Sequence, residues 1–472
     1  MGVLLFRPRL LEEHAEWLAP PLGLLYIAAV FEKNQVPVAV YDLAMDKLTD
    51  EEIKTKVREM KPDLIGIGPI VTVTNNNASR LAKAIREVSD APILIAGPHP
   101  SVMPLQCLQE MKADVVVHGE AEGVVFNLYK AITEGGSLQD VDGISFQADG
   151  RLVRTKAAEP IMDMDSIPFP ARHLVPFHRY LKLRGSREMF TRNYPVTSIT
   201  TSRGCPFRCT FCSRPFGLKW RARSPKNIVD EMELLARDYG IREINIEDEN
   251  FSLDRDRAMA VCDELIRRNL GLTIKFPNGL KPEKLDLELL QKMKQAGVFY
   301  VAFGIESGSP EVVKRIKKGV TLERIQQTIN WAKQVGMITH GFFMIGHPDE
   351  TREDFERTIE FAKNSGLDVV GLSTLTPYPG TEVYADFKAK GMIKEDNWDA
   401  FFLHGAPAFN GSKMTSDEIL KFKKKFYPSV YLRPKYLLWT LPRLIVRTGF
   451  KPRDTLYYLN RFLRLAVRGR LA

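Results

Sequence analysis

At 472 residues, 44% hydrophobic and 26% charged, the chain has the balance of a folded globular protein rather than a disordered or fibrous one. Its length allows two or three domains, and its five cysteines are too few and too unevenly placed for a disulfide framework, so they point to metal or redox chemistry in a reducing cytosol. The formal charge of +9 belongs to one end: Arg433 to Ala472 carries ten Lys/Arg and one Asp, leaving 57 basic and 57 acidic residues elsewhere. A uniformly basic nucleic-acid binder is not laid out this way, and nucleic acid is not an expected partner.

The N-terminus, with a short apolar run at Val3 to Phe6 and no small-residue cleavage pattern, reads as a buried first strand and not as a signal peptide. Residues 1–150 then alternate short apolar runs (VLLF, VAVYDL, LIGIG, PILIAG, DVVVHG) with helical stretches such as LGLLYIAAVFEKN and ASRLAKAIREV. This βα rhythm predicts a flavodoxin-like, doubly wound parallel sheet. The predicted strand ends Gly66-Ile67-Gly68, Gly97-Pro98-His99 and His118-Gly119-Glu120 put glycines where backbone either approaches a ligand or only turns tightly.

Residues 151–190 lapse into Pro-bearing irregular sequence, the composition of a linker. From Pro195 six further βα units follow, with strands at SITTS, EINIED, TIKFPN, YVAFGI, HGFFMIG and VVGLSTL. They predict a partial (βα)6 TIM-type barrel over 191–400. Residues 401–472 become helical and basic. Tyr457 to Leu471 sets Leu459, Phe462, Leu463 and Ala466 opposite Arg461, Arg464 and Arg468, an amphipathic helix with three competing uses: a lid on the barrel, a rest on the inner face of an anionic membrane, or RNA contact. No stretch reaches the ~18 apolar residues of a membrane span, because Arg443 and Arg447 interrupt the greasiest segment.

Directly after the SITTS strand stands Cys205-Pro-Phe-Arg-Cys209-Thr-Phe-Cys212, a C-x3-C-x2-C loop. Three thiolates in one tight loop hold three irons of a 4Fe-4S cluster and leave the fourth open to a further ligand. Structural zinc asks for a second cysteine pair, and Cys107 and Cys262 stand distant and isolated.

With this loop the chain resembles the radical S-adenosylmethionine (SAM) superfamily, in which the open iron chelates SAM and one electron cleaves it to methionine and a 5'-deoxyadenosyl radical. The resemblance implies catalytic and cluster-ligating roles for Cys205, Cys209 and Cys212. It further implies SAM contacts from Phe211, from Asp248 and Glu249 of Asp248-Glu249-Asn250-Phe251, from Glu306 of Gly304-Ile-Glu-Ser-Gly308, and from Gly346 of the GFFMIGHPDE segment. Arg221 and Arg223 could neutralise the cluster or a carboxylate, or serve a plain surface role.

The first domain, with Ala96-Gly-Pro-His-Pro-Ser101 and Val117-His-Gly-Glu-Ala-Glu122, looks like the cobalamin-binding domain fused to one large class of these enzymes. The likeness implies cobalamin contacts from Gly68, Thr72, Gly97, His99, Ser101, Gly119 and Glu120. No Asp-x-His-x-x-Gly string occurs, so cobalamin is expected without a histidine ligand from that motif; His99 and His14 are not assigned to cobalt, and the Thr72 to Asn75 loop is expected near the corrin. The implied activity is C-methylation of a lipid-like, isoprenoid or tetrapyrrole substrate, with a radical oxidative cyclase or rearrangement enzyme without methyl transfer as the alternative and a non-catalytic cobalamin or redox sensor as a remote one. A small, apolar substrate and a flavodoxin or ferredoxin electron donor are the implied partners.

Overall fold

The structure, a computed structural model, describes residues 2–10, 18–183, 190–393, 397–401 and 408–449. His14 and the 457–471 segment lie outside the described residues.

The first sheet contains β1 (Val3–Arg7), β2 (Val38–Asp42), β3 (Leu64–Ile67), β4 (Ile93–Ala96), β5 (Val115–Val117), β6 (Ile144–Ala148) and β7 (Arg151–Arg154), in the order β2-β1-β3-β4-β5-β6-β7. β1 to β5 are mutually parallel, as expected, with the chain reversing direction across the sheet between β1 and β3. Its strands are apolar on both faces because both are covered. Val3, Leu5 and Leu94 meet the helix Leu22–Lys33, while Leu4, Phe6 and Ile95 meet helices Asp50–Met60, Asn75–Arg86 and Pro104–Met111. The β6–β7 hairpin adds two antiparallel strands to the sheet edge beyond β5. Its turn is Asp149-Gly150, both left-handed at φ +50° and +73°, the residue pair that a two-residue hairpin favours.

The following segment, without regular layers, is pinned to both sheets. Tyr180 Oη donates to Asp42 Oδ2 (2.6 Å) at the end of β2. Arg172, 2% exposed, pairs with Glu231 (2.8 Å) and donates to the Ser198 carbonyl.

The second sheet has six parallel strands in the order β15-β14-β13-β12-β11-β8: β8 (Val196–Ile199), β11 (Glu243–Ile246), β12 (Thr273–Leu280), β13 (Val298–Glu306), β14 (Ile338–Ile345) and β15 (Val369–Thr374). A short antiparallel pair, β9 (Ser202–Arg203) with β10 (Arg221–Ala222), brackets the cysteine loop. On β13, Val301, Phe303 and Ile305 face the helical layer, whereas Tyr300 and Ala302 join an inner cluster with Phe190, Phe299, Ile338, Val369 and Leu444. The free edge of β15 is covered by the helix Ser416–Tyr431 and the start of the helical segment Tyr436–Thr440. Tyr431 Oη takes the Val370 N–H (2.8 Å) and donates to its carbonyl (3.1 Å), Tyr427 Oη takes the Leu372 N–H (3.0 Å), and Tyr436 Oη donates to the Asp368 carbonyl (2.7 Å). Three tyrosines thus satisfy an edge that would otherwise be open to pairing.

Candidate active site

The cysteine loop leaves the carboxyl end of the barrel through Gly204, whose φ of +83° and contact with the Lys219 carbonyl leave no room for a side chain. The loop is held by Cys205 N–H to the Gly217 carbonyl (3.1 Å) and Thr210 N–H to the Ile316 carbonyl (3.1 Å), and Cys209 Sγ lies 3.8 Å from the Lys317 carbonyl. Burial raises the Cys205 and Cys212 thiols, and the three sulfurs lie near enough to act on one another electrostatically. Among the described residues no three Cys, His, Asp or Glu side chains gather around a single metal ion. A cuboidal cluster asks instead for one thiolate per iron.

The two acids after β11 divide their work. Asp248 is spent within the protein, accepting from Thr201 N–H (2.6 Å), Thr201 Oγ1 (2.5 Å) and Ser202 Oγ (2.7 Å), which ties the cysteine-loop stem to β11. Glu249 keeps one buried carboxylate oxygen without a partner, and burial pushes it up to about 7. It also acts electrostatically on Cys205 and Cys212, so it is the acid that faces the loop.

Glu306 ends β13 in left-handed backbone (φ +70°) and pairs at 2.6 Å with Lys318 Nζ, both side chains 9% exposed. A Cβ on Gly304 would lie 2.7 Å from that carboxylate and 2.8 Å from the ammonium, so a side chain there would make the pair shift. Burial works against the Lys318 charge, but Glu306 and Cys209 outweigh it and hold the lysine protonated. A second lysine, Lys281, donates to the Lys318 carbonyl (2.8 Å) and stands 3.2 Å over the Phe207 ring of the cysteine loop.

After β14, Gly346 (φ +92°) begins a turn in which one Glu350 oxygen accepts from both Gly346 N–H (2.7 Å) and His347 N–H (3.0 Å). Burial pushes Glu350 up to about 8 and His347 down to about 3. The His347 ring lies 6.0 Å from that of Phe211, which brings the Gly346 turn against the cysteine loop.

At the first sheet's carboxyl edge, the loops after β3 and β4 are laid on each other. A Cβ on Gly68 would lie 2.8 Å from the Ala96 carbonyl, and one on Gly97 (φ +135°) would strike the Ile70 backbone. Thr72 Oγ1 is 3.2 Å from His99 Nδ1, while His99 Nε2 is buried without a partner. Gly119 N–H reaches Ser101 Oγ (3.4 Å), so Gly68, Thr72, Gly97, His99, Ser101 and Gly119 form one rim. Trp398 meets the His99 ring edge-on at 4.6 Å. Around Trp398, Phe401 and Tyr384 pack Val73 and Met103 from the rim, Phe211 from the cysteine loop, and Met344 and Tyr378 from the barrel. The rim and the cysteine loop therefore share one apolar junction.

Glu120 is directed elsewhere. It pairs with Arg203 (3.0 Å) and Arg221, while Glu122 pairs with Arg203 (2.7 Å), all four side chains at most 8% exposed. Its carboxylate bolts the first domain to the β9–β10 pair. Arg221 and Arg223 are buried and neutralise carboxylates, Arg221 that of Glu120 and Arg223 that of Glu231, so a surface role is excluded.

Comparison with known proteins matches residues 199–362 to the radical SAM superfamily and residues 9–128 to the B12 binding domain. An uncharacterized methyltransferase of Pyrococcus horikoshii is 34% identical over 424 residues, 89% of each chain. The chain belongs to the radical SAM superfamily. Within it, the chain is a cobalamin-dependent enzyme of the methyltransferase or cyclase kind. The cytidylyl-2-hydroxyethylphosphonate methyltransferase of Streptomyces wedmorensis is 31% identical (79% of this chain, 78% of the relative), and the anaerobic magnesium-protoporphyrin IX monomethyl ester cyclase of Rubrivivax gelatinosus 29% (92% and 80%). The fold is shared with the cobalamin-dependent SAM radical enzyme OxsB, at a TM-score of 0.75, 17% identity, 98% of this chain and 75% of that one.

A 4Fe-4S cluster, SAM and cobalamin are the cofactors of this radical SAM enzyme. The donor set fits them. The cysteine loop carries thiols flanked by the buried Lys318 ammonium and by Lys281, Glu249 offers a partnerless carboxylate oxygen beside it, and the first-sheet rim offers buried His99 Nε2 above glycine-lined backbone. Reading the sequence overlooked Lys318, Lys281, Arg203 and Trp398. Lys318 sits in a Lys-Lys-Gly stretch indistinguishable from a solvated turn, and Trp398 lies far along the chain from the rim it covers.

Proposed function

We propose that this enzyme methylates an unactivated carbon of a lipid-like, isoprenoid or tetrapyrrole substrate. What supports this reading is the shared apolar junction, in which Tyr384 and Phe387 of the helix Glu382–Ala389 and Trp398 and Phe401 pack Val73 and Met103 of the B12-side rim together with Phe211 of the SAM-side cysteine loop. When bound, the three cofactors supply one-electron cleavage of SAM, hydrogen removal from the substrate and a transferable methyl group. On this reading Cys205, Cys209 and Cys212 hold the cluster, and Lys318 and Lys281 keep positive charge beside it. Glu249 receives the SAM ammonium, whose charge would hold this raised carboxyl ionised. Glu350 fixes the Gly346 turn so that backbone lies open to the adenine. The rim from Gly68 to Gly119 carries cobalamin, and Asp248 and Glu120 position these elements without touching them.

The substrate class rests on the inner barrel wall. Phe299, Tyr300, Ala302, Ile338 and Phe342 form an apolar floor, and His340, held down to about 3 by burial, is neutral there. Phe343 is not part of it: that ring packs on Phe361 and Phe426 in the helical layer. Flavodoxin or ferredoxin would deliver the electron. The cyclase relatives sustain a second reading, radical oxidation or ring closure without methyl transfer.

The test is incubation of the anaerobically reconstituted enzyme with trideuteromethyl SAM, a reductant and panels of polyprenyl lipids and tetrapyrroles. One panel member should gain the trideuteromethyl group at carbon. Label-free products accompanied by 5'-deoxyadenosine would refute methylation and favour the cyclase reading.

A further inference from the structure

We propose that the segment Tyr436–Thr448 docks this enzyme on the surface of an anionic lipid bilayer. It is one continuous run of thirteen helical residues, Tyr436–Thr440 followed by Leu441–Thr448. Its inner side is fixed to the barrel. Tyr436, Leu444 and Thr448 are buried, Arg447 pairs with Asp368 (3.4 Å), and Arg192 donates to the Thr448 carbonyl (2.9 Å).

The outer side inverts the usual rule. A helix lying on a soluble protein turns polar residues outward, but here Leu438 is 70% exposed, Trp439 60% and Val446 80%. Leu438, Pro442 and Val446 follow at i, i+4 and i+8, so they share one face. Leu432 and Leu437 extend it with partly open side chains. Exposed Lys435 and Arg443 stand among these residues, and the Arg443 guanidinium lies 5.9 Å over the Trp439 ring. From Arg433 to Arg453 the sequence contains no Asp or Glu.

An apolar face interleaved with cations and free of anions matches the acyl–headgroup boundary of an anionic leaflet, where tryptophan settles and each basic residue strengthens association about fivefold. A second copy of the chain fits less well, since a two-fold contact would set Lys435 and Arg443 against their own counterparts. The segment lies on the surface without crossing it: among the described residues no helix is long and apolar enough to span a membrane. The inference goes beyond the methylation reading and holds for any substrate.

The experiment is co-sedimentation of the full chain with phosphatidylcholine vesicles, with and without phosphatidylglycerol, at low and high salt. The chain should partition onto phosphatidylglycerol vesicles and bind neutral vesicles at least about tenfold more weakly. The triple variant Leu438→Ser, Trp439→Ser, Val446→Ser should lose about tenfold in partitioning at an unchanged melting temperature. Three results would overturn the proposal: no binding to anionic vesicles, full binding by the triple variant, or a wild-type dimer in sedimentation velocity that the same variant dissociates.

Discussion

Replacing Lys318 by Met removes the cation that neutralises Glu306 beside the cysteine loop. The pair is separated by 2.6 Å, each side chain 9% exposed. At that distance and an effective dielectric of about 20 the Coulomb attraction is about 6 kcal/mol, of which desolvation cancels a large part. Removing one partner of a buried pair typically costs about 3–5 kcal/mol, because the remaining charge stays buried. For a barrel of this size that lowers the melting temperature by about 10 °C. Lys318→Met combined with Glu306→Gln should recover about half of the loss, since no charge is then stranded. In protein loaded with its cluster, an anaerobic redox titration followed by electron paramagnetic resonance should show a lower reduction potential for Lys318→Met. Lys318→Arg should stay near wild type, because it keeps the charge that acts on Cys209. Melting within about 2 °C of wild type together with an unmoved potential would refute this reasoning.

Other outcomes follow from the same geometry. Arg203→Met strands Glu122 and leaves Glu120 to Arg221 alone in the domain interface, and should cost about 3–5 kcal/mol in chemical denaturation, with protease cleavage appearing at the interface; a loss under about 1 kcal/mol would deny it the bolting role. Glu249→Gln should leave melting and cluster content intact while weakening SAM binding in calorimetry at least about tenfold, whereas Asp248→Asn should act first on stability. Equal effects on both properties would merge the two roles. Glu350 is raised to about 8 by burial, so the folded chain favours its neutral form. Its contribution to stability is therefore full below the ordinary carboxyl value and lost as pH rises through about 8. Glu350→Gln should flatten the fall in stability across that window, and an unchanged slope would contradict the assignment. Tyr431→Phe removes two bonds to Val370 and should cost about 1–3 kcal/mol.

Much of this architecture is legible in the chain because its signals are local. Runs such as Val3 to Phe6 and Val298 to Ile305 are apolar at every position because both strand faces are covered, and the three cysteines carry their chemistry in eight residues. What escapes is set by tertiary contact. In the β6–β7 hairpin β7 is an exposed, mixed-polarity edge strand, so Asp149-Gly150 is the signal that marks it. Sequence places Asp248 and Glu249 side by side with equal claims, and only the Thr201 and Ser202 bonds separate a positioning acid from a ligand-facing one. Glu120 directly follows the rim residue Gly119 in the loop after β5, yet its carboxylate turns to arginines that lie 83 and 101 residues away. Phe342 and Phe343 are equally aromatic and adjacent, and the strand's period of two sends one to the inner wall and the other to the helices.

The central claim, that one polypeptide couples SAM cleavage at the cysteine loop to methyl transfer across the junction with the B12 domain, is tested most directly by counting two products. The chain, reconstituted anaerobically with iron, sulfide and hydroxocobalamin, would be given SAM and a strong reductant together with a substrate extract, and 5'-deoxyadenosine and S-adenosylhomocysteine would be quantified separately. Both should accumulate in wild type, and 5'-deoxyadenosine should vanish when Cys205, Cys209 and Cys212 are replaced by Ala. Neither product from a chain that retains its cluster and its cobalamin would contradict the account.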